Sequence, residues 1–146
     1  MHVFIVGAGY VGLVSAVGLA KLGHRVTVAD VNRQRVESLA AGQSPIFEPG
    51  LQEAIVAFGE QERLCFTTEL CPPADAALSI ICVSTPTGAD GPLSMVNVEA
   101  AVGTLLQSVD ADHIIVVRST LPLEGPDRIL RLVAGREQRP SLVTNP

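Results

Sequence analysis

His2-Val3-Phe4-Ile5-Val6-Gly7-Ala8-Gly9-Tyr10-Val11-Gly12 decides how this chain folds. Its first five residues, four of them apolar, read as the first strand of a sheet covered on both faces. Helical spacing begins at Tyr10 and lasts to Leu22, with Gly23 placed to end it. The three glycines stand where a chain leaving a strand must turn into a helix. Gly7 permits the tight turn. Gly9 lacks a Cβ, so the backbone there can approach a ligand closely. Gly12 lets the helix pack against the sheet. A helix opening this way points free N–H groups and the positive end of its dipole outward, a setting suited to an anion.

The second strand, Arg25–Asp30, ends on an acid 18 residues after Gly12. A glycine loop between strand and helix, followed by an acid at the next strand end, is the dinucleotide fingerprint of a Rossmann-type fold. The loop meets the pyrophosphate, and the Asp30 carboxylate accepts from the ribose hydroxyls of the adenosine. A carboxylate there repels a 2′-phosphate, which favours NAD over NADP. Arg33 and Arg35 soften that preference, since either can offer charge to a phosphate. Arg35 can instead reach the adenosine side of bound NAD. A solvated helix face is the competing reading for both.

The rest of the chain repeats the alternation. Asn32 caps a helix running to Ala41, and Gly42 closes it. Gln43–Gly50 carries two prolines, with Pro49 suited to the first turn of a helix through Gly59. Leu64–Thr68 reads as a strand. Cys71–Asp75 reads as a connection with room for one helical turn. Leu78–Val83 is a continuous apolar strand, and Ser84–Leu93 is a loop. A helix over Ser94–Val109 and a strand over His113–Arg118 follow. A helix from Pro122 to Gly135 and a strand over Ser141–Thr144 complete the pattern. Such βαβ alternation predicts an α/β fold: a doubly wound, mainly parallel six-stranded sheet with helices on both faces. Residues 1–146 read as one domain. The stop at Asn145-Pro146, directly after a strand, is an odd natural terminus.

Composition agrees. Hydrophobic residues make up 47% of the 146, but aromatics only 3%, so the core rests on Val, Leu, Ile and Ala. The net charge of −5 with no basic run argues against nucleic-acid and anionic-membrane surfaces. Neither a signal peptide nor a membrane span is read. Cys65, Cys71 and Cys82 lack CxxC spacing and an activating neighbour. Cys82 reads as a small buried hydrophobe. No metal-ligand spacing appears, and none of the histidines joins a catalytic motif.

Two strand ends hold further candidates. In an open α/β sheet, ligands sit beyond the carboxyl ends of the strands, at the switch point. That rule places Ser84, Thr85 and Pro86 beside the cofactor, against an ordinary hydroxyl-stabilised turn. It places Arg118-Ser119-Thr120 beside the nicotinamide half. Ser119 or Thr120 can equally cap the helix ahead of Pro122. Glu48, in Pro45-Ile46-Phe47-Glu48-Pro49-Gly50-Leu51, reads as a surface or capping carboxylate.

These segments together resemble the UDP-glucose/GDP-mannose dehydrogenase family. The resemblance runs over essentially all 146 residues, through Gly7–Leu13, Asp30-Val31-Asn32, Pro45–Leu51, Val83-Ser84-Thr85-Pro86, Arg118-Ser119-Thr120 and Asn145-Pro146. It implies oxidation of the C6 hydroxyl of a nucleotide sugar to a carboxylate, with two NAD per turnover. Tyr10, Val11, Asp30, Arg35, Thr85 and Thr120 match positions that contact NAD in the family. Thr120 also matches a threonine near the reacting centre, a supporting role that orders a water or the substrate. The family's catalytic cysteine, lysine and asparagine belong to later parts of its chain, as does the Glu that follows Asn-Pro. Cytoplasmic location, polysaccharide biosynthesis and a homodimer formed through a central helix are implied as well. Departures are Glu124-Gly125 in place of Gly-Thr, and no acid near the start of the Ser94 helix.

UDP-glucose is the expected sugar. GDP-mannose is the alternative, towards which Arg118-Ser119-Thr120 and Thr144-Asn145-Pro146 lean. A stand-alone NAD-binding regulatory module is the alternative of another class. An NADP- or methyl-donor-binding domain is a third.

Overall fold

A computed structural model describes residues 1–87, 91, 93–136 and 139–146. The strands are β1 (His2–Val6), β2 (Arg25–Ala29), β3 (Leu64–Thr67), β4 (Ala76–Ile81), β5 (Ile114–Val117) and β6 (Ser141–Thr144). The helices are α1 (Tyr10–Lys21), α2 (Arg33–Ala40), α3 (Leu51–Glu60), α4 (Val96–Leu105) and α5 (Gly125–Ala134). The strands form one sheet in the order β3-β2-β1-β4-β5-β6. Every pairing within it is parallel. Strand order reverses between β1 and β4, which is the switch point of a doubly wound sheet.

Why β1 is central can be read from its side chains. All five of its residues are buried. Phe4 and Val6 face a layer built with Ile81, Ile115 and Val117 and covered by Val98, Val102, Leu105, Ile129 and Val133 of α4 and α5. Val3 and Ile5 face the opposite layer, with Val26 and Val28 beneath Leu13, Ala16, Leu39 and Ile55 of α1, α2 and α3. The helices therefore cover both faces, as predicted. Phe4 is fully buried, and the rest of the described core is aliphatic apart from Met95.

Helix α4 is shorter at both ends than the expected Ser94–Val109, and four further departures each have a local reason. Helix α3 starts at Leu51, because Gly50 takes φ 79° as its cap and Pro49 lies before it. Helix α5 starts at Gly125, since Pro122 instead closes a turn through its carbonyl to the Gly125 amide (2.8 Å). Pro126 takes the early-helix place expected of Pro122. Strand β4 runs two residues earlier than Leu78–Val83, because its ladder begins at His2↔Ala76 and ends with β1 at Val6↔Ile81. Cys71–Asp75 holds no helix; a turn from the Ala76 amide to the Pro73 carbonyl (2.8 Å) fills that place.

The expected Ser84–Leu93 loop is irregular where described, with an isolated bridge from Thr87 to Leu93. Its residues 88–90 and 92 lie outside the described residues. Among the described residues, no helix is long and apolar enough to cross a membrane.

Candidate functional site

At the switch point lies a cleft of about 500 Å³. Val6, Gly7 and Gly9 form one wall, Asp30, Asn32 and Arg35 a second, and Cys82, Val83, Ser84 and Asn97 a third. A smaller hollow of about 370 Å³ sits between α2, α3 and β3, with Leu39, Ile55 and Phe66 in its lining. Only the larger one gathers polar groups from four separate segments around a helix start.

The glycine loop is built by close packing. Gly7 adopts φ 108°, and a Cβ placed there would lie 2.5 Å from the Cys82 carbonyl oxygen. A Cβ on Gly12 would lie 1.9 Å from the Gly7 carbonyl oxygen. Gly9 differs: a Cβ there would meet no protein atom within 4 Å. Its bareness faces open space in the cleft rather than a packing partner. Gly9 also caps α1 without any side-chain hydrogen bond. The first-turn amides of α1 are thus left for a ligand or water to satisfy.

Asp30 closes the opposite wall and is buried. Its Oδ2 accepts from the Ala8 amide (2.8 Å) and from Arg35 Nη1 (3.1 Å). Its Oδ1 accepts from the Asn32 amide (2.8 Å). The acid is therefore aimed by backbone at both ends of the loop–strand junction. Asn32 caps α2 by accepting from the Arg35 amide (3.0 Å), which brings Arg35 back over Asp30.

The third wall is held from two sides. Ser119 is buried, and its hydroxyl donates to the Val83 carbonyl (2.7 Å). The side-chain amide of Asn97 donates to the Ser84 carbonyl (2.9 Å). Sequence reading placed Ser119 beside the nicotinamide half or at a helix cap. The structure makes it a tie between the ends of β4 and β5, and Glu124 stands at the α5 cap instead. Asn97 escaped sequence reading. Its signal was a lone amide within the apolar run Met95-Val96-Asn97-Val98.

Of the sequence candidates, Gly7, Gly9, Asp30, Arg35 and Ser84 line the cleft. Gly12 supports it by packing. Tyr10, Val11, Thr85, Pro86 and Thr120 do not line it. Tyr10 is exposed and donates to Glu48 Oε2 (3.1 Å). That bond, with the charge of Glu48, pushes the phenol above its ordinary 10. Thr120 is exposed one residue past Ser119. Arg118 Nη1 reaches Asn145 Oδ1 (2.7 Å), joining the ends of β5 and β6.

Cys82 lies under the glycine loop, and burial pushes its thiol up to about 11. It is therefore a thiol, not a nucleophilic thiolate, at neutral pH. Cys65 and Cys71 are exposed and free. Among the described residues, no three His, Cys, Asp or Glu side chains gather as a metal site.

Sheet order, glycine loop, uncapped helix start and buried acid together define a dinucleotide-binding domain of the Rossmann type. The chain belongs to the UDP-glucose/GDP-mannose dehydrogenase family: residues 1–146 match its NAD binding domain, and the cofactor is NAD. It is 34% identical over 150 residues to UDP-glucose 6-dehydrogenase YwqF of Bacillus subtilis, covering all of this chain and 34% of that one. A solved UDP-glucose dehydrogenase from Pyrobaculum islandicum superposes with a TM-score of 0.83 at 36% identity, over 98% of this chain and 34% of that one. A solved GDP-mannose dehydrogenase from Pseudomonas aeruginosa gives 0.81 at 33% identity, over 90% and 31%. The chain thus spans about one third of the length of its curated and solved relatives.

Proposed function

We propose that this chain is the NAD-binding first domain of a longer nucleotide-sugar 6-dehydrogenase. The parent oxidises UDP-glucose to UDP-glucuronate and consumes two NAD per turnover. The observation that carries the reading is the buried Asp30 facing the glycine loop across the switch-point cleft. Asp30 takes the adenosine ribose. The loop Gly7–Gly12 and the start of α1, with Tyr10 and Val11, take the pyrophosphate. Arg35 lies at the adenosine side. Ser84, Thr85, Pro86 and Thr120 flank the nicotinamide half, and Thr120 lends support near the reacting carbon. Bound NAD supplies the hydride acceptor; these residues bind and orient it.

The remaining machinery lies in the parts of the parent that this chain does not match. By itself the chain binds NAD and turns over nothing. The parent is a cytoplasmic homodimer that serves polysaccharide biosynthesis. GDP-mannose is the second reading of the sugar, favoured by the paired segments Arg118-Ser119-Thr120 and Thr144-Asn145-Pro146, which the Arg118–Asn145 bond brings together.

Calorimetry on the 146-residue chain is expected to give tighter binding of NAD than of NADP. Tighter NADP binding would overturn the role of Asp30. NAD reduction by the same chain, offered UDP-glucose and then GDP-mannose, is expected to stay at background. Turnover with either sugar would sink the claim that catalysis needs more chain. The same assay on the full-length parent decides between the sugars.

A further inference from the structure

Asp30 has fewer free acceptor positions than a ribose diol needs. An ionised carboxylate offers about four lone-pair sites. The Asn32 amide takes one on Oδ1. The Ala8 amide and the Arg35 guanidinium take both on Oδ2. One site stays open, on Oδ1. The 2′- and 3′-hydroxyls of an adenosine ribose, each donating, require two. The amides of Ala8 and Asn32 are backbone in the turns that end β1 and β2, so neither can leave without unmaking its turn. Arg35 can leave. Its side chain is 38% exposed, against 8% for that of Asp30, and it is held at Oδ2 by one side-chain bond.

We propose that Arg35 is an internal competitor for Asp30 and a specificity-determining residue for the adenosine half. It fills the second acceptor site in the free protein and yields it to the ribose diol. It then stands as a cation beside the ribose 2′ position, where it tempers the exclusion of a 2′-phosphate by Asp30. The proposal rests on the reading of Asp30 as the ribose acceptor.

Two consequences separate this role from simple charge attraction. First, the second ribose bond is made at the expense of a bond already present. The 2′-hydroxyl therefore contributes less to NAD affinity here than at an uncontested carboxylate. Second, removing Arg35 sharpens discrimination in two ways at once. The 2′-hydroxyl gains an open acceptor, and a 2′-phosphate loses a cation.

The test measures dissociation constants of NAD, 2′-deoxy-NAD and NADP by calorimetry at one fixed salt concentration. The proteins are wild type, Arg35→Met and Asp30→Ala, each checked for folding by circular dichroism. Arg35→Met keeps a long unbranched stem on α2; Arg35→Leu repeats the measurement should Met disturb the helix. Changes in pyrophosphate attraction or adenine contact act on NAD and 2′-deoxy-NAD alike and cancel in their ratio. The deoxy-to-NAD ratio is expected to be about two- to threefold in wild type and about tenfold in Arg35→Met, the scale of one recovered charge-assisted hydrogen bond. The NADP-to-NAD ratio is expected to rise by about tenfold in the same variant, as a phosphate–cation contact is lost. An unchanged or smaller deoxy-to-NAD ratio in Arg35→Met would overturn the competitor role. Wild-type NAD affinity in Asp30→Ala would overturn the ribose reading itself, and the proposal with it.

Discussion

At the residue scale, two glycines of α1 look alike in sequence and behave oppositely in the structure. Both sit inside a helix, where Ala is ordinarily preferred by about 1 kcal/mol. Gly18 is exposed, and a Cβ there meets nothing within 4 Å. Gly18→Ala is therefore expected to raise stability by roughly 0.5–1 kcal/mol. Gly12 is buried, and its Cβ would lie 1.9 Å from a backbone oxygen that cannot rotate away. Gly12→Ala is expected to lower stability by roughly 2 kcal/mol, the scale of overpacking, and to weaken NAD binding as the loop shifts. Urea unfolding of both variants checks the pair; a stabilised Gly12→Ala would refute the packing role. The glycine spacing alone announced Gly7, Gly9 and Gly12, because the fingerprint encodes a tight turn, a close ligand approach and a helix–sheet contact at fixed offsets. The donors on Asp30 were not legible in full. Which lone pairs are occupied depends on the path of the backbone from Asp30 to Arg35, and spacing does not reveal a rotamer.

At the scale of elements, the order and type of the eleven found among the described residues followed from apolar periodicity and turn residues. Their ends followed less well where prolines were involved. Pro49 and Pro122 fit a helix start by propensity, yet Gly50 and the Pro122–Gly125 turn moved the true starts downstream. A proline fixes its own φ but not which of the next residues first joins the helix. The tie between the ends of β4 and β5 was hidden for another reason: it spans 36 residues of sequence. It carries a prediction. Ser119→Ala leaves the Val83 carbonyl without its hydroxyl donor and removes one of the two ties on the segment that starts at Ser84, the Asn97 bond remaining. NAD affinity is expected to fall about five- to tenfold, the scale of one lost buried hydrogen bond, while ADP affinity moves less than about twofold. Ser119→Thr, which keeps the hydroxyl, should restore NAD binding. Equal losses for NAD and ADP would show that Ser119 supports the whole fold rather than the nicotinamide side.

At the scale of the whole molecule, two buried histidines couple the fold to pH. His113 joins β5 to β4 through Nε2 and the Ser79 hydroxyl (2.7 Å), and both residues are buried. Burial holds its imidazole below the ordinary 6.5, against smaller opposing effects from the Ala76 backbone and Asp110. His2 opens β1 and its ring reaches across to β2, with Nε2 at the Thr27 hydroxyl (2.8 Å). Burial lowers it first, then the charge of Arg25 and that of the chain's amino terminus. Asp75 faces the same ring, but Arg25 sits on both that carboxylate and the ring nitrogen. Each histidine thus takes up a proton more readily in the unfolded chain than in the folded one. The sign follows from linkage: stability is full above pH 6.5 and falls as pH drops through 6.5 towards the lower folded values. The urea midpoint is expected to be level from pH 8 to 7 and to decline between pH 6.5 and 5. His113→Gln keeps a group that can meet the Ser79 hydroxyl but cannot titrate, so its decline should be shallower than that of the wild type. A wild-type midpoint unchanged down to pH 5, or an equal slope in His113→Gln, would contradict the assignment. Because both histidines lie away from the cleft lining, NAD affinity per folded molecule should stay level over the same range.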